Sequence, residues 1–158
     1  VDADYFDDAL MIGDSRTVGL KEYGTLGNAT FYCDSGLSIY ELENKKIMVD
    51  GIGKVSISDL LASHTYHKIY LMLGINELGY DVTQTFEKYA SFVNFLQKIS
   101  TLADQRTIYY LDINELFDDA NGNLGTQYSN DNAHPLGKYY AVWCDWLMEH
   151  AVVRDGKS

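Results

Sequence analysis

The sequence predicts one α/β domain: a three-layer α/β/α sandwich around a mostly parallel sheet. Three observations predict it. Short apolar runs alternate with helix-period segments along the whole chain. The clearest run, "KIYLMLG" (68–74), is apolar on both faces, as a parallel strand covered by helices on both sides must be. Nothing divides the 158 residues: the chain has one proline, no Gly/Ser-rich run and no repeat. A single domain over 1–158 follows, with an acidic lead-in (1–7) and a polar tail (152–158) expected to be peripheral. The chain opens on Val, as a trimmed or processed chain does.

Taken in order, "ALMI" (9–12) is a buried strand that stops at Gly13. Residues 16–23 follow as a helix, with Ser15 near its N-cap. "ATFYC" (29–33) is a second strand and "SISDLLAS" (56–63) a helix with a Ser or Asp cap. Strand 68–74 comes next. A long helix is expected over 81–105, with Phe86, Tyr89, Phe92, Val93, Leu96 and Ile99 at three- and four-residue steps. "TIYYLDI" (107–113) is expected as a fourth strand, and 118–133 is rich in turn residues. The last helix is expected to carry Pro135 in its first turn and an apolar stripe of Tyr139, Val142, Trp143, Trp146 and Leu147.

Composition narrows the partners. The formal net charge is −11 and no basic cluster is evident, which argues against nucleic acid and anionic membranes. No apolar stretch approaches the roughly 20 residues of a membrane span. Cys33 and Cys144 lie far apart, outside any CxxC, and are expected to be buried and reduced. The spacing of His64 and His67 suits a metal, but no third ligand is evident near them in the sequence, so no metal is expected there.

In parallel sheets, ligands sit beyond the carboxyl ends of the strands. Gly13-Asp14-Ser15 follows the first strand, Asp34-Ser35-Gly36 the second, and Gly74-Ile75-Asn76-Glu77 the third. Asp131-Asn132-Ala133-His134 stands at the entrance to the last helix. Each tripeptide alone is an ordinary turn, and an Asp-x-x-His alone is ordinary solvated surface. Together, in order, at successive strand ends, they supply the parts for acyl transfer. Ser15 is the candidate nucleophile, His134 its base, and Asp131 the group that orients the imidazole. The N–H groups of Ser15 and Gly36 and the amide of Asn76 are candidate donors to a developing oxyanion. Arg16, Glu77 and Tyr80 are candidate substrate contacts. Asp14 is expected to brace the turn.

The blocks "IGDSRTVG", "LGINELG" and "DNAHP" resemble the signature blocks of the SGNH (GDSL-type) hydrolase superfamily, over about Phe6 to Trp146. The resemblance implies a flavodoxin-like fold and no cofactor. It gives Ser15 the nucleophile's role, Gly36 and Asn76 those of oxyanion donors, and Asp131 and His134 those of orienter and base. It implies hydrolysis of carboxylic esters, short-chain or on acetylated carbohydrate. Two departures stand out. Glu77 replaces the usual aspartate, and the chain between 94 and 112 has no room for the strand that would make the family's usual five, so four are expected. A shorter sheet leaves an edge open to pairing with a second copy, a possible homodimer. Two rival functions fit the same residues. One is acyl transfer to a cell-wall or polysaccharide hydroxyl. The other is a non-catalytic carbohydrate-binding domain with a relic triad.

Overall fold

The computed structural model of the chain describes residues 1–99 and 109–153. Its centre is strand β1 (Ala9–Gly13), which pairs in parallel with β2 (Thr30–Cys33) on one side and β5 (Lys68–Met72) on the other. All five residues of β1 are buried. Its side chains alternate between two cores. Leu10 and Ile12 join Tyr32, Leu37, Phe92 and Leu96, whereas Ala9 and Met11 join Phe6, Leu20, Trp143 and Leu147. Helices α2 (Ile57–Ser63) and α3 (Val82–Gln97) contribute to the first core. Helices α1 (Ser15–Tyr23) and α5 (Gly137–Glu149) contribute to the second. The chain is thus α/β, with a parallel sheet whose two faces are both covered.

Among the described residues the parallel sheet has three strands, not the expected four. Residues 107 and 108 of the expected fourth strand lie outside the described residues. Residues 109–113 form no strand, and Tyr110 is 83% exposed. An apolar run carries no partner information of its own, and this one turns its tyrosines outward before a short helix, α4 (Asn114–Phe117). A second sheet was not expected. Strands β3 (Lys46–Val49) and β4 (Gly53–Ser56) pair antiparallel, Ile47 opposite Val55. Ile47 and Val49 point into the first core while Met48 faces outward, the alternation of a strand with one wet face. The turn between them uses Gly51 at φ 75° and Gly53 at φ 115°, both in the left-handed range that glycine tolerates.

Helix boundaries also move. Helix α1 starts at Ser15, and its N-cap is Asp14, whose carboxylate accepts from Arg16 N–H. Helix α3 ends at Gln97, short of the expected 105, and residues 100–105 are outside the described part. Its Phe86, expected in the apolar stripe, is 76% exposed. Helix α5 begins at Gly137 with Leu136 as N-cap, so Pro135 precedes the helix instead of lying in its first turn. Val142 turns outward, and Cys144 joins Tyr140, Trp143 and Leu147 in the core. The lead-in is less peripheral than expected: Phe6 is fully buried and the Tyr5 hydroxyl donates to Val152 carbonyl. Lys68 pairs with Asp8 beside it. Cys144 is buried, but Cys33 is only half-buried, and both are free thiols. Among the described residues no helix is long and apolar enough to cross a membrane.

Helices α1 and α5 pack closely because Gly19 has no side chain. A Cβ there would lie 2.1 Å from Cζ of Tyr140. In an open helix, Gly→Ala gains about 1 kcal/mol of propensity. At Gly19 the methyl collides with a buried ring, and overpacking of this kind costs about 1–3 kcal/mol. We therefore expect Gly19→Ala to lower the Tm by roughly 2–4 °C per kcal/mol lost. Thermal unfolding followed by circular dichroism checks it, and a Tm at or above wild type would contradict this packing.

Candidate active site

Ser15 stands where β1 ends and α1 begins. The bend is tight because Gly13 lets Thr17 close onto it: a Cβ on Gly13 would sit 1.9 Å from Thr17 Oγ1. As the first residue of a helix, Ser15 presents an N–H with no intrahelical acceptor, at the positive end of the helix dipole. From the far end of the chain, the 129–136 loop brings His134 to it. Ser15 Oγ and His134 Nε2 are 2.7 Å apart. His134 Nδ1 is 2.7 Å from Asp131 Oδ2. An ionised carboxylate only accepts, so Nδ1 carries the proton and Nε2 is left to accept from the serine hydroxyl.

The loop that carries the base is built around Asp131. Its Oδ1 accepts from the N–H groups of His134 (2.8 Å) and Ala133 (2.9 Å) and from Ser129 Oγ (3.0 Å). Asn132 holds φ at 61°, the left-handed conformation that asparagine tolerates better than most residues. Leu136 N–H donates to Tyr128 carbonyl (2.7 Å), tying the loop off before α5. The hydrogen bonds from the backbone and the ring of His134 hold the Asp131 carboxyl well below the usual carboxylate range.

Asp14 is the nearer acid in sequence, but it is fully buried and bonded to Arg16. Arg16 grips it through Nε (3.0 Å) and Nη2 (2.8 Å), while its own N–H donates to the same carboxylate (3.1 Å). Asp14 thus braces the corner as expected. Arg16, expected as a substrate contact, closes its fork on Asp14 instead.

The oxyanion side is arranged differently from expectation. Gly36 N–H donates to Asp34 Oδ1 at 2.9 Å. Lys45 Nζ holds the same oxygen at 2.8 Å, and its hydrogen bond is the main reason the Asp34 carboxyl lies below its ordinary range. Asn76 Nδ2 donates to the carbonyls of Ser35 (3.1 Å) and Leu37 (2.9 Å). Of the three expected donors, the Gly36 and Asn76 groups therefore have acceptors within the chain, and the Ser15 N–H has none among the described residues. Glu77 is not a surface contact either: it is 6% exposed and its Oε1 accepts from Ile39 N–H at 2.6 Å. Tyr80 is half exposed and stacks on Tyr40 with ring centroids 4.5 Å apart.

A groove of about 560 Å³ runs from the Ser15–His134 pair along the seam between α1 and the start of α5. Val18, Tyr23, Leu136 and Tyr140 give it an apolar lining that sequence reasoning missed. The signal was present: positions 18, 19, 22 and 23 share a helix face with Ser15 at three- and four-residue steps. His64 Nδ1 lies 2.9 Å from its neighbour Ser63 Oγ, and His67 N–H donates to Asp8 carbonyl. Among the described residues no group of three His, Cys, Asp or Glu side chains is placed to hold a metal ion. Comparisons with protein-family models, with curated proteins and with solved structures find no match for the chain.

The lowered pKa of Asp131 has a sign. A carboxyl with a folded-state value below its unfolded one, about 3.9, stabilises the fold fully above that value. The contribution is lost as the pH falls through the folded value. The side chain is 56% exposed, so solvent screening keeps the effect small. We expect the Tm gap between wild type and Asp131→Asn to stay level from about pH 6 to about 4 and to narrow as the pH drops further, to about 2. A gap that stays constant across that series would contradict it.

Proposed function

We propose that the chain is a serine esterase of the SGNH type, cleaving carboxylic esters through an acyl-enzyme on Ser15. The observation that carries this reading is the continuous chain of two 2.7 Å contacts from Ser15 Oγ through His134 to Asp131. Its geometry suits general-base activation of a serine hydroxyl. The apolar groove that starts at Ser15 gives an ester of modest size somewhere to lie. The sheet with helices on both faces and the three sequence blocks at its carboxyl edge support the same reading.

In the proposed reaction Ser15 Oγ attacks the ester carbonyl carbon and its proton passes to His134 Nε2. Asp131 stabilises the imidazolium and keeps the ring in orientation. The carbonyl oxygen becomes an anion within reach of the Ser15 N–H at the start of α1. Collapse of the tetrahedral intermediate breaks the bond to the alcohol oxygen, which leaves with the proton from His134. Water, activated by the same imidazole, then attacks the acyl-enzyme and releases the carboxylic acid. The Gly36 N–H already holds an anionic oxygen, that of Asp34. It joins the oxyanion site when that carboxylate swings aside. No metal or organic cofactor is called on in these steps. The substrates that fit are esters with short acyl groups, acetylated carbohydrates among them.

Ser15→Ala is expected to lower turnover of p-nitrophenyl acetate by about 10³-fold or more while the Tm stays close to wild type. A fluorophosphonate probe is expected to add one mass increment, located on Ser15 by peptide mass spectrometry. A mutant that retains wild-type turnover, or a label on another residue, would overturn the reading.

A further inference from the structure

Two adjacent side chains at the end of β5 hold the loop that follows β2. Asn76 takes the carbonyls of Ser35 and Leu37, the residues on either side of Gly36. Glu77 takes the N–H of Ile39 with a 2.6 Å bond. The holder is itself fixed. Gly74, at φ 142°, turns the chain sharply into a single 3₁₀ turn over Ile75–Glu77. Glu77 N–H donates to Gly74 carbonyl and Glu77 carbonyl accepts from Tyr80 N–H.

The choice of an acid at this place is costly. Glu77 is more than nine-tenths buried, its Oε2 has no hydrogen-bond partner, and no cation pairs with it among the described residues. Burying a carboxylate against one N–H is unfavourable, and a neutral side chain of the same size would be better for stability alone. What the acid gives in return is a short, stiff, charge-assisted bond at one fixed point of the loop.

We propose that Glu77 is a positioning residue of the site: through Ile39 N–H it fixes the 34–39 loop and thereby sets the aim of the Gly36 N–H toward the carbonyl attacked by Ser15. The inference rests on the serine-esterase reading. It makes stability and turnover move in opposite directions. In Glu77→Gln the buried charge disappears and an amide oxygen still accepts from Ile39, but less strongly.

The experiment measures kcat and KM for p-nitrophenyl acetate, per active site titrated with fluorophosphonate, together with Tm and hydrogen exchange at the Ile39 amide. For Glu77→Gln the expected outcome is a Tm at or above wild type and a kcat reduced about 3- to 10-fold, with KM nearly unchanged. For Glu77→Met, which keeps the bulk and removes the acceptor, kcat is expected to fall by about 30-fold or more, and Ile39 exchange to quicken. The glutamine variant then recovers most of that loss. Wild-type kcat in both variants, or a change carried by KM alone, would overturn the proposal. Should Glu77→Met not fold, the opposed shifts in Glu77→Gln decide it. If wild type shows no turnover, the esterase reading fails. Unchanged Ile39 exchange in Glu77→Gln and Glu77→Met would separately remove the grip.

Discussion

The hydrogen bond between Ser15 Oγ and His134 Nε2 closes a separation of 119 residues at 2.7 Å, and the fold must hold both ends still for it to exist. The serine end is set by β1. Paired on both edges and buried on both faces, that strand has little freedom, so the corner after it is stationary. Gly13 and Thr17 tighten the corner, and the Asp14–Arg16 fork locks its outer side. The histidine end is set by α5, whose buried face lies against α1 across Gly19 and Tyr140. One pair of packed helices thus holds both ends of this hydrogen bond.

The two sides of the site follow different logics. On the base side Ser15, His134 and Asp131 are already joined in one chain of hydrogen bonds. Asp131 accepts two backbone N–H groups, a hydroxyl and the imidazole, and that many donors leave it one conformation. On the oxyanion side the donors are satisfied by the protein itself. The half-buried amide of Asn76 would be costly without a partner, so internal acceptors are the cheaper arrangement for the fold. Asp34 is well suited to that part. It is an anion, and its Oδ1 accepts from the Gly36 N–H and from Lys45 Nζ at the same time.

Much of this was legible in the sequence where one local rule decides the outcome. Continuous apolar runs gave β1 and β5, a Ser or Asp cap marked the start of α2, three- and four-residue periodicity gave α3, and the residues after β1 and before the last helix contained the candidate triad. Legibility failed where the outcome depends on a partner far along the chain. "KIMV" and "KVS" are short and half polar, and they become strands only because each has the other to pair with. "TIYYLDI" has the better strand composition, yet its residues 109–113 pair with nothing among the described residues. The helical stripe read from periodicity put Phe86 and Val142 inside, whereas α3 and α5 each bury a narrower face than that rule assumes. The occupied state of Gly36 and Asn76 was out of reach for the same reason: a motif names donors but not their resting acceptors.

Asp14 and Asp131 put the relation between sequence and role most sharply. Asp14 adjoins the candidate nucleophile and is a carboxylate, which is all that proximity in sequence would ask of a base or its orienter. It is shut away from solvent and bound by a bidentate arginine, so its lone pairs are committed and its field acts on the corner of the backbone. Asp131, at the other end of the chain, is more than half exposed and still lies well below the ordinary carboxylate range, because the loop folds its own N–H groups onto it. An exposed carboxylate that stays ionised can stabilise an imidazolium without being buried, and exposure leaves the ring above it open to substrate. The turn chemistry of Ser129 to His134 places the Asp131 carboxylate at the surface, where the groove begins.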